Sequence, residues 1–336
     1  MADPVRAASV GIGWWSNELA DAAEKSENIT IVSCYTRSEE KRRAFSKRYR
    51  CREAASYEEI LEDPEVEAVI LTTPDSLHAD QVVAAAGRGK HVFVEKPYAR
   101  SVKDCLRATE ACRRAGVTLA VGHNRRRQAS ARKIKELLEG GELGQPIQVE
   151  ANFSSFSVQN PDYSSWRVVP SDSAIGPLSG MGIHHMETFQ YLLGPVKRVA
   201  SFSRNLYTPA KHHDVTASIL EFQSGALGYL GVGWVVARVF FLNLHGTRAS
   251  VFSEVDGTRV FLQKVGSMEK VPLELPQVDT LFEEVDEFAR SIREGTRPEV
   301  SGEEGTAAVA VMEAIIASAR EGKTVEVERF LAPEEA

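Results

Sequence analysis

Short apolar runs alternate with amphipathic helical segments through the first third of the chain. Near-continuous apolar strands are predicted in VRAASVGI, ITIVSCY, EAVILTT, HVFVEK and VTLAVGH. Strands of this kind are typical of parallel sheets that are buried on both faces. Because a helical pattern follows each strand, the sequence predicts a doubly wound parallel sheet with helices on both sides.

The pattern changes after about Gly144, where longer runs show partial alternation of apolar and polar residues: IQVEANFSSF, VKRVASFSRNLY, VTASILEF, ALGYLGVGWV and RVFFLNLHG. Alternation predicts strands with one solvent-facing side, so we expect a large, mostly antiparallel sheet. Helical patterns return at 279–294 and 302–321. The sequence thus predicts an α/β domain over 1–124 and an α+β domain over 125–336, with C-terminal helices that can pack back on the first domain.

Composition narrows the classes of function. A chain of 336 residues has room for two domains, and a formal net charge of −7 lacks the basic surface of nucleic-acid-binding proteins. No apolar run reaches the roughly 20 residues of a membrane span, and the N-terminus lacks a signal-peptide core. We therefore expect a cytoplasmic protein with a small-molecule substrate and neither nucleic-acid nor membrane partners. A broad sheet with one apolar face predicts a homodimer or homotetramer formed through the C-terminal sheet.

The four cysteines show no C-x-x-C spacing, which favours buried free thiols over a disulfide or a metal site. No metal is expected.

The segment VGIGWWS lies between the first predicted strand and the first predicted helix, where dinucleotide-binding (Rossmann) domains carry G-x-G-x-x-G. Gly11 permits a tight turn, and Gly13 lets the backbone approach a pyrophosphate at the positive end of the helix dipole. Ser16 replaces the third glycine and is small enough for helix–strand packing. A glycine turn that binds no ligand is the alternative.

The end of the second predicted strand indicates which nicotinamide cofactor binds. NAD-selective sites place an acidic residue there to accept from the ribose hydroxyl, whereas this chain has Thr36. Arg37 can stack on adenine and pair with a 2′-phosphate, Ser38 can donate a hydrogen bond, and Arg42 lies one turn further on. We expect NADP to be preferred over NAD. The alternative is that these basic side chains are simply solvated.

Several segments together resemble one family: GIGWWSNEL, TTPDSLHADQVVAAAGRGKHVFVEKP, VGHNRRR, GELGQPIQVEA, SSWR and GPLSGMGIHHMETFQYLLG. They resemble the motifs of the Gfo/Idh/MocA oxidoreductase family over nearly the whole chain. The resemblance implies an NAD(P)-dependent enzyme that transfers a hydride between nicotinamide and a hydroxyl or carbonyl carbon. A sugar, a cyclic polyol or a related hydroxylated ring compound would be the substrate.

The resemblance also implies cofactor contacts along these motifs. Trp14 would be a lid or wall of the cofactor site, and Trp15 a neighbour that packs between helix and sheet. Further cofactor-binding residues would be Thr73, Pro74, His78, Glu95 and Lys96.

Two residues are candidates for proton transfer, which hydride transfer to or from an alcohol requires. Lys96 ends the fourth predicted strand, at the edge of the sheet where ligands bind in such folds. His184 matches the family histidine, a general acid or base near neutral pH. The aspartate that family members often carry four residues earlier is Gly180 here, and the later family aspartate corresponds to Glu187. The usual set is therefore incomplete.

Substrate contacts are expected from Lys96, His184, Arg126, Tyr163 and Trp166. Arg126, with or without Arg127, would bind an anionic group of the substrate such as a carboxylate, and the alternative is a structural role. The two aromatic residues would be walls of the substrate site or ordinary packing residues. Two other functions stay open: a redox-neutral glycosidase- or lyase-type enzyme with retained nicotinamide, and a dinucleotide-binding regulator.

Overall fold

A computed structural model of the chain describes residues 3–156, 176–208 and 212–332. It divides into two compact units. The first contains Met1–Asn124 and Asp279–Thr306, and the second contains Arg125–Val278 and Ala307–Ala336. The chain passes from the first unit to the second between Asn124 and Arg125, and the segment that contains the first of the two C-terminal helices belongs to the first unit.

Fifteen strands are described. Those of the first unit are β1 Val5–Val10, β2 Ile29–Tyr35, β3 Arg52–Glu53, β4 Ala68–Leu71, β5 His91–Glu95 and β6 Leu119–Gly122. Those of the second unit are β7 Pro146–Phe156, β8 Val196–Arg204, β9 Val215–Phe222, β10 Leu227–Gly233, β11 Val235–Gly246, β12 Ala249–Glu254, β13 Arg259–Lys264, β14 Val271–Leu273 and β15 Val325–Glu326.

The described α-helices are α1 Trp14–Ala23, α2 Glu39–Tyr49, α3 Tyr57–Glu62, α4 Asp75–Ala86, α5 Val102–Ala115, α6 Ala129–Glu139, α7 Ile183–Leu193, α8 Thr280–Glu294, α9 Gly302–Glu321 and α10 Glu328–Leu331. A π-helical segment, Leu178–Gly182, leads into α7. Among the described residues, no helix is long and apolar enough to cross a membrane.

The first unit is built on a six-stranded sheet in the order β3-β2-β1-β4-β5-β6. Every strand pair in it is parallel, as the apolar runs predict. The short strand β3 is an addition that the sequence pattern does not reveal, because only two exposed residues form it. Parallel strands bring all their carboxyl ends to one edge of the sheet, and the predicted cofactor residues follow those ends.

Helix α8 belongs to the core of the first unit. Val285, Phe288 and Ala289 are fully buried in the same apolar cluster as the first strands. The Phe288 ring meets the Phe93 ring of β5 edge to face, with centroids 5.8 Å apart. This packing explains why a segment from the end of the chain is part of the first unit.

The second unit is built on a nine-stranded sheet in the order β14-β13-β12-β11-β7-β10-β9-β8-β15. It is mostly antiparallel, as predicted, with one parallel pair between β7 and β10. Burial alternates along β8 and β9, so one face of the sheet is buried and the other is exposed. Phe202, Ile219 and Leu227 are 72%, 53% and 51% exposed, respectively. This exposed face is the surface through which the sequence predicts oligomerisation, and the oligomer stays a prediction.

The sequence pattern missed strands β12 to β14 and helix α6. β12 and β13 are joined through Val255–Gly257, where Val255 and Asp256 have positive φ angles of 51° and 56°. A left-handed pair with valine in first position is not a turn signature that a sequence displays. The prediction of free, buried cysteines is confirmed for all four.

Candidate functional site

The glycine turn after β1 lies where three strand ends converge. The Gly11 amide donates to the carbonyl oxygen of Tyr35 at the end of β2 (2.9 Å). Its carbonyl oxygen accepts from the Thr72 hydroxyl after β4 (2.7 Å). Gly11 has a φ of +92°, and a Cβ there would lie 2.6 Å from the amide nitrogen of Thr73. Only glycine combines this conformation with this close approach.

Gly13 caps the N-terminus of α1 through Ser16. The Gly13 amide donates to the Ser16 hydroxyl (2.8 Å), and that hydroxyl donates to the Gly13 carbonyl oxygen (2.8 Å). The remaining amides of the first turn have no acceptor within the helix and carry the positive end of its dipole. A Cβ built on Gly13 would have no described atom within 4 Å. The turn therefore offers an open approach to an anion such as a pyrophosphate.

The two tryptophans that follow have different environments. Trp15 packs against the apolar core of the first unit, as the sequence predicts. The Trp14 ring lies 5.3 Å from the Trp15 ring, centroid to centroid, and 69% of Trp14 is exposed. An exposed indole beside the open turn is placed to cover a bound ligand, and its role as a lid stays a prediction.

The turn after β2 presents one exposed arginine and one paired arginine. Arg42 donates to the Thr36 carbonyl oxygen (3.0 Å) and contacts the Glu53 carboxylate of β3 (3.4 Å). Its charge is therefore balanced by a carboxylate that the sequence pattern did not place there. Ser38 is the N-cap of α2 and accepts from the Lys41 amide (3.4 Å). Arg37 is exposed, so its guanidinium is accessible to a phosphate.

His78 joins two of the predicted cofactor segments. Its Nε2 lies 2.9 Å from the Thr73 carbonyl oxygen, and its Nδ1 lies 2.8 Å from the Pro97 carbonyl oxygen. Both partners are acceptors, so a neutral ring can donate to only one of them. Burial lowers the pKa of His78, while the two carbonyl contacts favour the charged ring. The ring thus holds the turn after β4, with Pro74 as the N-cap of α4, next to the Lys96–Pro97 turn.

Glu95 is a buried carboxylate directly beneath Lys96. The Lys96 amide donates to its Oε2 (3.1 Å), and Glu95 is only 5% exposed. Its neighbour in β6 is Gly122, where a Cβ would lie 2.6 Å from Oε1, so glycine makes room for the carboxylate. Burial raises the pKa of Glu95 to about 7, although the Lys96 charge and the Trp15 side chain act in the opposite direction. The carboxylate therefore titrates near neutral pH.

His184 lies in the first turn of α7 and is 7% exposed. Its ring centroid is 6.3 Å from the Phe153 ring of β7. Gly180, the position of the family aspartate, lies in the π-helical segment, and a Cβ there would have no described atom within 4 Å. Short π-helical segments occur often at functional sites.

Arg126 is engaged inside the second unit. Its Nε donates to Oε1 of Glu187 at 2.6 Å, and its guanidinium lies 4.6 Å from the Tyr191 ring centroid. Both charged residues are buried, at 7% and 2% exposed. This geometry favours the structural alternative for Arg126, and substrate binding by it stays a prediction. Tyr163 and Trp166 lie outside the described residues.

Sequence reasoning overlooked contacts that only folding creates. Thr72 lies one residue before the T-P motif, yet its hydroxyl fastens the Gly11 turn. Ser16 was predicted as a small packing residue, whereas its hydroxyl forms the cap. The available signal was the position of Ser16 three residues after Gly13, where a polar side chain can reach back to the N-cap backbone.

The residues of the first unit fit a dinucleotide. The fit rests on the space that Gly13 leaves, which a Cβ would fill, and on the cationic turn after β2. A doubly wound parallel sheet with a glycine turn at its carboxyl edge and a lysine at a nearby strand end is typical of nicotinamide-dependent oxidoreductases.

Comparison with known families agrees with this class. The pattern described as "Oxidoreductase family, NAD-binding Rossmann fold" matches residues 5–123, and "Oxidoreductase family, C-terminal alpha/beta domain" matches residues 135–327. The chain therefore belongs to the Gfo/Idh/MocA oxidoreductase family, as the sequence motifs predicted.

Relatives cover most of the chain. A solved structure from Desulfitobacterium hafniense, provisionally named an NADPH-dependent oxidoreductase, is 34% identical, with a TM-score of 0.94 over 99% of this chain and 100% of that chain. The 1,5-anhydro-D-fructose reductase of Ensifer adhaerens is 27% identical over 96% of this chain and 98% of its own length. The 2,7-anhydro-N-acetylneuraminate hydratase of Escherichia coli is 28% identical over 74% of this chain and 67% of its own length.

The open space at Gly13 yields a first prediction. Gly13→Val should preserve the fold, because the residue has extended φ and ψ angles and free space, but the branched side chain should block the approach of a pyrophosphate. Calorimetric titration with NADP⁺ should then show no binding, while the melting temperature stays close to that of the wild type. Gly11→Ala is the contrast, since its clash with Thr73 should lower the melting temperature itself. Undiminished NADP⁺ binding by Gly13→Val would contradict the assignment of the turn.

The buried Glu95 carboxylate yields a second prediction. Since its pKa is raised to about 7 in the folded protein, folded Glu95 keeps a proton that the unfolded chain releases above its ordinary value of 4.5. Its contribution to stability is therefore lost as pH rises through that window. Between about pH 4.5 and about pH 8, the unfolding free energy of Glu95→Gln should rise relative to that of the wild type by on the order of 2–3 kcal/mol.

Urea unfolding across that pH range measures the effect. Glu58→Gln, an exposed carboxylate in α3, is the matched control and should follow the wild-type profile. A constant difference between Glu95→Gln and the wild type at every pH would show that the carboxylate is not perturbed.

Proposed function

We propose that the protein is an NADP-dependent oxidoreductase that acts on the CH–OH group of a sugar, a cyclic polyol or a related hydroxylated ring compound. One observation carries the proposal. The Gly11–Gly13 turn after β1 and Lys96 after β5 lie at the same carboxyl edge of one parallel sheet, where such folds bind ligands. Membership of the oxidoreductase family and the sugar-reductase relative support it.

The chain's own residues would have distinct tasks. A bound nicotinamide would supply the hydride acceptor or donor. The amides of the first turn of α1 would bind the pyrophosphate, with Trp14 as a cover. The Lys96 ammonium would hold the substrate oxygen and transfer its proton, while Glu95 and His78 fix the turn that carries Lys96. His184 would be the second acid or base of the reaction.

NADP is proposed over NAD because no acidic side chain occupies the position after β2. Arg37 would pair with the 2′-phosphate, and Thr36 and Ser38 would contact it. Arg42 supports the turn through the Thr36 carbonyl oxygen, while Glu53 balances its charge. The provisional name of the Desulfitobacterium relative agrees with this choice.

A second candidate function is redox-neutral catalysis with a retained nicotinamide. The relative named as a hydratase and the missing carboxylate at position 180 favour it. Such an enzyme would convert its substrate without added cofactor, and the absorbance of the nicotinamide would show no net change. A cytoplasmic homodimer or homotetramer, joined through the exposed face of the second sheet, is part of the proposal.

Cofactor choice supplies the third prediction. Arg37→Ala should weaken NADP(H) binding about 10- to 150-fold, which corresponds to the loss of a charge-assisted contact, and should leave NAD(H) binding nearly unchanged. Calorimetric titration of each cofactor measures the ratio. Arg43→Ala, which removes an exposed arginine of α2 that pairs with Glu39, is the control. Equal losses for both cofactors in Arg37→Ala would contradict the phosphate assignment.

Proton handling supplies the fourth prediction. Lys96→Met should abolish turnover and leave cofactor affinity within a few-fold of the wild type. His184→Asn should lower the turnover rate by a smaller factor, on the order of 10²- to 10⁴-fold, as is typical for the loss of a general acid or base. A panel of sugars, inositols and ring diols with NAD⁺ and NADP⁺, followed by cofactor absorbance, provides the assay.

Gly180→Asp tests the missing carboxylate in the same assay. No described atom lies within 4 Å of a Cβ at position 180, which precedes His184 by about one helical turn. A carboxylate there favours the charged imidazole, so the pH–rate profile should move to higher pH. An unmoved profile together with a fully active Lys96→Met variant would exclude this mechanism, whereas cofactor binding without turnover of any substrate by the wild type would favour a dinucleotide-binding regulator.

A further inference from the structure

Three consecutive arginines follow β6, and they differ in their surroundings. Arg126 and Arg127 are buried, and Arg126 is committed to the ion pair with Glu187. Arg125 is only partly buried and has a different kind of contact. Of the three arginines, Arg125 is the one whose N–H donors can bind a ligand.

The Arg125 guanidinium lies beside two aromatic rings that also contact each other. Its Cζ is 4.4 Å from the Phe153 ring centroid and 4.7 Å from the Phe240 ring centroid, and the two ring centroids are 5.0 Å apart. Within the described ranges, 3–156, 176–208 and 212–332, no hydrogen bond or ion pair forms to its guanidinium. The cation–π contacts fix the position of the group without using its N–H donors.

The positive charge of Arg125 is also poorly balanced. Burial lowers the pKa of Arg125 to about 10, even though the Asp256 carboxylate acts to raise it. That carboxylate already accepts from the Arg238 side chain at 2.8 Å, and the Arg238 charge repels Arg125. The buried His185 beside it has its pKa lowered to about 3, mainly by burial and further by Arg125, so it adds no charge near neutral pH. Charges removed from water are normally paired, and the described residues supply no anion for Arg125 alone.

Arg125 and His184 lie beside the same ring. The His184 ring centroid is 6.3 Å from the Phe153 centroid, and the Arg125 guanidinium is 4.4 Å from it. Phe153 is therefore a common neighbour of the candidate acid or base and of the arginine. Cation–π contacts alone are worth less than a charge-assisted hydrogen bond, so the rings position the guanidinium without satisfying it.

We propose that Arg125 binds an oxyanion of the substrate, a carboxylate or a phosphate carried on a sugar or polyol ring, and so selects acidic substrates. This proposal rests on the proposed oxidoreductase function and adds the class of substrate. It moves anion recognition from Arg126, where the sequence motif placed it, to the neighbouring arginine. The guanidinium edge donates two parallel hydrogen bonds to such a group.

The experiment compares matched ligands on the cofactor-loaded protein: D-glucose, D-glucuronate and D-glucose 6-phosphate. Calorimetry gives the affinity of each, and cofactor absorbance gives kcat/KM. The wild type should bind at least one of the two acidic sugars about 10- to 150-fold more tightly than glucose, and Arg125→Met should lose that preference. Arg125→Lys should keep part of it. Whether the preferred ligand is the carboxylate or the phosphate identifies the oxyanion.

Arg259→Gln is the control, because the Arg259 guanidinium also lies over a phenylalanine ring, that of Phe261, at 5.7 Å. It should leave the preference unchanged. Thermal unfolding without ligand supplies a further readout. Removal of a partly buried charge that no described carboxylate pairs with should keep or raise the melting temperature of Arg125→Met, whereas loss of a purely structural arginine should lower it.

The outcomes separate this proposal from the proposed function. Turnover of neutral sugars with no preference for acidic ones, in calorimetry or kinetics, overturns the role of Arg125 and leaves the oxidoreductase function intact. A preference for acidic ligands that survives Arg125→Met also overturns it. Selective binding of an acidic sugar that Arg125→Met abolishes supports the proposal even if none of these sugars is oxidised, and only the function would then need revision.

Discussion

The carboxyl edge of the first sheet depends on the absence of a side chain at Gly11. Because a Cβ there would overlap the Thr73 amide, only glycine lets the ends of β1, β2 and β4 meet. A series of hydrogen bonds extends from this contact. The Thr72 hydroxyl binds the Gly11 carbonyl oxygen, and the His78 ring contacts the carbonyl oxygens of Thr73 and Pro97. The open turn before α1 and the Lys96 turn are therefore parts of one connected edge. A displacement of one of these strand ends would therefore move both the Gly11–Gly13 turn and Lys96.

Charge burial divides the candidate residues into two kinds. Glu187 and Arg126 form a buried ion pair. Such a pair adds little to the stability of the folded protein, but loss of either partner leaves an unpaired buried charge and is strongly destabilising. Glu95 and Arg125 instead have ionisation equilibria displaced toward the neutral form, and each lies beside a candidate ligand-binding group. Perturbed ionisation of this kind is common at functional sites. Glu95 and Arg125, more than the Arg126–Glu187 pair, are therefore the candidates for contact with a ligand.

Much of the fold and part of the site follow from sequence alone. Strand ends are readable from apolar runs, and parallel strands collect at one edge, so Gly11, Lys96 and Arg37 could be placed near it. The partner of Arg42, the next candidate cofactor residue along the chain, could not be predicted. Its carboxylate partner Glu53 lies in β3, which is only two residues long, and reaches Arg42 only in the folded sheet. Likewise, the sequence cannot distinguish Arg125 from Arg126. Their difference arises from Glu187 in α7 and from rings in β7 and β11, all distant along the chain.

The glycine at position 180 has an evolutionary consequence. Glycine and aspartate codons can differ by a single nucleotide, and a Cβ at this position would have no described atom within 4 Å. Loss and recovery of the family carboxylate are therefore one mutational step apart.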